Sequence, residues 1–210
     1  MDAALGILNT ALESDPTLRW CLSADSRGYD ERRLSYLGSY LRFHHLASMP
    51  ALGLWSQGVL VGVSYFTPAS HSFEPELYSS LGQSIREGCG DEALSKIQVL
   101  LDAVESELPA RDVARIEFIA VAPNEQGSGL GSQLLTATLV RLASNEGHTK
   151  VCLETAEKRN LPFYLRHGFK NHVTVKLPNL EQYLLNLDTT DDSPIFHSSR
   201  QPTSTAEFIR

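Results

Sequence analysis

The sequence predicts one α/β domain, an α+β mixed sheet flanked by helices, and three observations carry that prediction. Its 210 residues, 42% hydrophobic and 20% charged, suffice for one ordinary core without a disulfide or metal staple. The candidate elements alternate: helices, a hairpin, more helices, then strand, helix, strand, helix and two strands. No period of roughly 20 to 50 residues recurs, which excludes solenoids and propellers.

Taken in order, Ala3 to Glu13 has apolar residues at helical spacing, and Ser14-Asp15-Pro16 supplies caps with proline at the first position of a second helix. Glu31 to Ala47 predicts a third, with Leu34, Leu37, Leu41 and the Tyr36/Tyr40 pair on its buried face. Around Ser56-Gln57-Gly58, the runs 51–55 and 59–66 read as a hairpin. Residues 72–107 return to helix, broken near Gly88-Cys89-Gly90, with Leu94, Ile97, Leu100, Leu101 and Val104 as the buried stripe. The run 115–122 fits a central strand covered on both faces. Ser132 to Glu146 follows as a helix with Leu134, Leu135, Thr138, Leu139 and Leu142 on one side, and Gly147 as its C-cap. Strand 151–155, helix 161–167 and a strand pair at 172–177 and 182–187 complete the domain, 1–188. Residues 189–210, rich in Ser, Thr, Pro and Asp without periodicity, are expected to be a disordered tail.

Composition narrows the function. Cys21, Cys89 and Cys152 are an odd, scattered set without a CxxC pair, as in a reducing compartment. The N-terminal stretch lacks the basic start of a secretory signal, and no apolar run approaches the roughly 20 residues of a membrane span, so a cytoplasmic protein without a membrane partner is expected. A net charge of -7 argues against nucleic acid and fits a cationic partner. The seven histidines show no metal-ligand spacing, so no metal is expected.

The most informative stretch is Gln126-Gly127-Ser128-Gly129-Leu130-Gly131, between a buried strand and an amphipathic helix. Alternate glycines let the backbone approach a ligand closely and aim successive amides one way, with the positive end of a helix behind them. Alone, the loop reads equally as a structural turn or a phosphate site. A Walker loop would need a lysine, which Leu130-Gly131-Ser132-Gln133 lacks. A dinucleotide loop would need its third glycine at position 132, which is Ser132, although Glu154 stands near the place of a ribose-binding acid.

The surroundings decide. The stretch IAVAPNEQGSGLGSQLL (119–135) matches a strand followed by Q/R-x-x-G-x-G/A and a helix, and LETAEKRNLPFYLRHGF (153–169) supplies a second block. Together they resemble the GNAT superfamily of acetyl-CoA-dependent N-acetyltransferases, and the second block is similar to the puromycin N-acetyltransferase-like group. The resemblance is best over about residues 115–170 and weakens back to about 50. It implies a GNAT fold, acetyl-CoA as cosubstrate and transfer of an acetyl group to an amine. The amides of Ile119, Ala120 and Val121 would bind the pantetheine arm. Those of Gln126, Gly127, Ser128, Gly129, Leu130, Gly131 and Ser132 would hold the pyrophosphate, and Asn160 would also touch the cosubstrate. The implied acceptor is a small-molecule amine; a protein or peptide N-terminus is the alternative, and the protein would be a monomer or homodimer. A non-catalytic acyl-CoA module and a nucleotide-binding oxidoreductase are the competing classes.

Acetyl transfer needs a base for the amine, donors for the oxyanion and an acid for the thiolate. Tyr164 suits the last task, since a phenol titrating near about 10 can donate to sulfur at neutral pH. Glu154 is the first choice for the base, as a carboxylate in an apolar strand has its pKa raised by burial. Glu117, within IEFIAVA, is its rival, and a water chain would need neither. A backbone amide near Ile119 or Val121 would meet the oxyanion. His71 with Glu74 and Glu76 reads as a polar loop, His167 as a helix-terminal cation and Cys152 as a buried hydrophobe.

Overall fold

A computed structural model describes residues 1–69, 71–72, 74–108, 113–146, 150–189 and 205–208. Its first helices are α1 (Asp2–Ala11), α2 (Pro16–Cys21) and α3 (Tyr29–Leu46). Asp15 caps α2 as the sequence suggests: its Oδ1 accepts from the Leu18 amide at 2.9 Å, and Pro16 opens the helix. On α3 the buried stripe differs from expectation. Leu37 and Leu41 are buried, but Leu34 is 46% exposed, because the stripe runs through Arg33, Leu37, Leu41 and His44. Arg33 is tolerated there because Asp30 at 2.8 Å and Asn9 at 3.0 Å satisfy its guanidinium.

The hairpin comprises β1 (Ala51–Ser56) and β2 (Val59–Thr67), and the next helices are α4 (Pro75–Cys89) and α5 (Asp91–Glu105), parted by Gly90 at φ 91°. Ile97, Leu100 and Val104 of α5 are buried as expected, whereas Leu101 faces outward. Then follow β3 (Ala114–Val121), α6 (Leu130–Glu146), β4 (Lys150–Thr155), α7 (Leu161–Arg166), β5 (Lys170–Leu177), β6 (Leu180–Asp188) and β7 (Thr205–Phe208). Gly147, the expected C-cap, lies outside the described residues.

These strands form one mixed sheet in the order β5-β6-β4-β3-β2-β1-β7, antiparallel except where β3 meets β4. One face packs on α1 to α5, around Leu8, Leu22, Leu37, Leu41, Val63 and Val104. The other packs on α6 and α7, around Phe66, Leu134, Leu135, Leu139, Leu142 and Phe169. All five predicted α6 positions are buried. Thr138, the polar member, has its Oγ1 2.9 Å from both Leu134 O and Ser64 Oγ, so its single proton has an acceptor and the two buried hydroxyls are paired.

The expectation of a structureless tail is corrected at Thr205–Phe208, which pairs antiparallel with β1 from Leu52↔Phe208 to Trp55↔Thr205. The physical reason is that β1 pairs with β2 on one side only, leaving a row of amides and carbonyls open. A Thr-Ala-Glu-Phe segment with two good strand formers can satisfy it. Residues 190–204, 209 and 210 lie outside the described part.

Two irregularities in β3 prepare the site. Tyr65 pairs with Phe118 and Phe66 with Ile116, so Glu117 is an extra residue, a β-bulge. On the other side, the parallel pairing with β4 runs from Ala114↔Val151 to Ile116↔Leu153 and stops. Beyond the bulge, β3 and β4 separate.

Candidate active site

The gap between the strands is lined by backbone. The Ala122 amide donates to Val61 O at 2.8 Å, so the alternation of an antiparallel ladder turns the amides of Ala120 and Phe118 toward β2. Those of Ile119 and Val121 point the other way, into the gap. Of the three residues expected to bind pantetheine through their amides, Ile119 and Val121 turn theirs into the gap, and Ala120 turns its own to the β2 ladder.

At the end of β3 a single 3-10 turn, Pro123–Glu125, leads into the glycine loop. Gly127 and Gly129 adopt φ of 80° and 88°, the left-handed region that glycine enters without penalty. Gln126 is spent on the turn: its amide goes to Pro123 O at 3.4 Å, and its Nε2 donates to the Val121 carbonyl at 2.9 Å, tying the loop to the strand. Ser128 Oγ likewise donates to Glu125 O at 2.6 Å. The first helical bond of α6 runs from Gln133 N to Gly129 O, so the amides of Leu130, Gly131 and Ser132 precede any intrahelical acceptor and face outward from a positive helix end. A Cβ at Gly131 would stand 3.7 Å from the Phe163 ring, an ordinary packing distance. Asn160 sits exposed at the start of α7, its amide donating to Glu157 O at 2.9 Å.

Tyr164 lies on the α6 side of the sheet, 7% exposed, its ring edge-on to Phe163 at 5.2 Å and to Phe169 at 6.0 Å. Burial raises its pKa, and the charge of Asp15 adds to the effect, so the phenol keeps its proton throughout the physiological range. His167 is a helix-terminal residue as expected, its Nδ1 2.7 Å from Phe163 O.

The two candidate bases lie on the opposite face, in different states. Glu154 is bound on both oxygens, by Arg115 Nη2 at 3.3 Å and by Gln182 Nε2 at 3.1 Å, and Gln182 in turn accepts from Thr17 Oγ1 at 2.9 Å. Glu117 accepts from Thr67 Oγ1 at 2.8 Å, with the Tyr40 hydroxyl facing the same carboxylate. Burial raises the Glu117 pKa and the Glu154 charge reinforces it, while Arg115, Thr67 and Tyr40 oppose. Cys152 is buried beside Arg115 and has its thiol pKa raised by that burial. Glu74 and Glu76 are exposed. Sequence reasoning missed Arg115, Thr67, Tyr40 and Gln182. Only Arg115 left a trace, as a cation in an otherwise apolar strand.

Comparison with known proteins bears on the fold. Residues 93–171 match the family model described as the acetyltransferase (GNAT) domain. Glucosamine 6-phosphate N-acetyltransferase of Trypanosoma brucei brucei is 40% identical over 62 residues; the match spans 30% of this chain and less than half, 41%, of that relative. Among solved structures, the protein described as histone acetyltransferase HPA2 and related acetyltransferase from Corynebacterium glutamicum has a TM-score of 0.55 at 18% identity, over 95% of this chain and 91% of that one. An N-acetyltransferase from Staphylococcus aureus Mu50 has a TM-score of 0.51 at 17% identity, over 89% and 91%. The fold is the α+β GNAT fold, and the match to the acetyltransferase (GNAT) domain model covers less than half of the chain. Among the described residues, no group of three or more His, Cys, Asp or Glu could hold a metal, and no helix is long and apolar enough to cross a membrane.

Proposed function

We propose that the protein transfers the acetyl group of acetyl-CoA to a primary amine by direct attack in a ternary complex. The observation that carries this reading is the gap beyond Ile116↔Leu153, edged by the Ile119 and Val121 amides and closed at one end by the glycine loop and α6. An extended pantetheine arm fits such a gap as an added strand, and the amides from Gly127 to Ser132 suit a pyrophosphate. Asn160, exposed at the start of α7, is the further residue proposed to touch the cosubstrate.

Glu117 is the proposed base, in preference to Glu154. Both Glu154 oxygens are already occupied, by a guanidinium and an amide, whereas desolvation at the bulge raises the Glu117 pKa and suits it to accept a proton. The amine nitrogen, its proton passed to Glu117 directly or through water, attacks the thioester carbon. The oxyanion is met by a backbone amide at Ile119 or Val121. The C–S bond then breaks and the thiolate takes the Tyr164 proton. Tyr164 stands on the α6 side of the sheet and Glu117 at the bulge where the gap begins. The acceptor is a small molecule, consistent with the puromycin N-acetyltransferase-like wording of residues 153–169, and the three buried free cysteines suit a cytoplasmic setting.

Calorimetric titration with acetyl-CoA and, in parallel, NAD tests the reading, followed by an assay of free thiol with a panel of amines. Acetyl-CoA at 100 times its Kd is expected to stabilise the fold by about 2.7 kcal/mol. Preference for NAD would overturn the assignment, and binding without transfer to any amine would leave an acyl-CoA module.

A further inference from the structure

The acceptor side of the gap has its own chemistry. Tyr36 and Tyr40 lie on α3 with ring centroids 6.3 Å apart, and Tyr40 meets Phe118, the residue after the bulge, edge-on at 4.9 Å. The series continues from Tyr40 to Phe43 at 6.0 Å and from Phe43 to Tyr78 on α4 at 5.3 Å. Tyr36, Tyr40 and Phe118 keep part of their surface, and Tyr78 is 51% exposed, so an aromatic series runs from the neighbourhood of Glu117 to the surface. Tyr78 is near enough to feel the charges of Glu117 and Arg115.

The charges beside these rings are unbalanced. Arg115 faces two carboxylates, Glu117 and Glu154, and is committed to Glu154 at 3.3 Å. His44, buried behind Tyr40 and Tyr65, has its pKa lowered to about 4 by burial and is neutral. An ammonium group is drawn to such a place by the surplus carboxylate and by the ring faces. A phosphate or carboxylate would need a guanidinium or ammonium partner and would meet Glu117 instead.

We infer that the acceptor is an amine on an apolar, preferably aromatic body that bears no phosphate or carboxylate. The inference rests on the acetyltransferase reading for the site, and it sets this chain apart from the relative named for glucosamine 6-phosphate.

The test compares 2-phenylethylamine, glucosamine and glucosamine 6-phosphate, with acetyl-CoA and a thiol readout, in wild type and Tyr78→Ala. Phenylethylamine is expected to exceed glucosamine 6-phosphate in kcat/KM by roughly ten- to a hundredfold, the range one apolar contact region can discriminate. Tyr78→Ala, a half-exposed position whose loss spares the core, is expected to raise KM for phenylethylamine several-fold with the acetyl-CoA KM unchanged. Preference for the phosphosugar, or an unchanged amine KM in the variant, overturns the inference. A calorimetric arm measures binding of the same three amines to the protein saturated with coenzyme A. Tighter binding of phenylethylamine without turnover upholds the acceptor class and sinks the acetyltransferase reading; tighter binding of the phosphosugar sinks the acceptor class while transfer stands.

Discussion

Replacing Arg115 by methionine probes the electrostatic centre of the site. The Arg115 and Glu154 side chains are 19% and 20% exposed and 3.3 Å apart, and Glu117 adds a second carboxylate to the same guanidinium. Removing one partner of a fully buried pair costs about 3–5 kcal/mol, because the other charge is left without compensation. With a fifth of each side chain reaching water, the lower end applies, about 3 kcal/mol. For a domain of this size that is about 6–12 °C in Tm. Urea unfolding at pH 7 measures it, together with the double variant Arg115→Met/Glu154→Leu, which is expected to recover part of the loss, since the Glu154 charge is gone while Glu117 keeps only Thr67 and Tyr40 as partners. Activity gives a second readout. Arg115 opposes the upward shift of the Glu117 pKa, so its removal moves the acidic limb of the pH-rate profile to higher pH. A cost below about 1 kcal/mol with no recovery in the double variant would mean that the pair behaves as an exposed surface bridge, refuting the account of Glu154 as a clamped anion.

Three further outcomes are expected. Glu117→Gln abolishes most turnover yet stabilises the fold at neutral pH: the Glu117 pKa is raised on folding, so its stabilising contribution exists below the unfolded value and disappears as pH rises through the folded one. The Tm advantage of the variant therefore grows from pH 4 to pH 8 in thermal melts, and a constant difference would contradict the assignment. Tyr164→Phe lowers kcat by roughly 10²-fold or more in steady-state assays with acetyl-CoA affinity unchanged, and no alkaline limb of the wild-type profile belongs to this phenol, whose pKa burial raises. Gly129→Ala meets nothing within 4 Å but must hold φ at 88°, costing about 1–2 kcal/mol and weakening acetyl-CoA in titrations, whereas Gly131→Ala, which lacks the positive φ, stays near wild type.

The elements on the page were legible in the sequence wherever local signals act: the caps at Asp15 and Pro16, the alternating hairpin, the glycine loop and the α6 stripe. What escaped depends on long-range registration. The bulge at Glu117 leaves no mark in IEFIAVA, because an apolar run covered on both faces has no alternation for an inserted residue to break. The Arg115–Glu154 pair joins positions on two strands separated by all of α6, and only their parallel register brings them together. Both glutamates are visible as charges in apolar strands, but not which of them the guanidinium would occupy. Tyr40 read as a packing residue because helical periodicity reports the buried face and not what lies opposite it. Thr205–Phe208 escaped because pattern reading weighs a segment's own composition, while its strand state is supplied by the open edge of β1.

The bulge has a genetic consequence. One extra residue ends the pairing with β4, sets the phase that turns the Ile119 and Val121 amides into the gap, and places the Glu117 carboxylate beside it. Loss of that single codon would restore a regular ladder, swing the amide alternation by one position and delete the carboxylate in the same event. The gap and the Glu117 carboxylate are thus inherited as one unit: substitutions among the surrounding tyrosines act one side chain at a time, but these two features arise or vanish together.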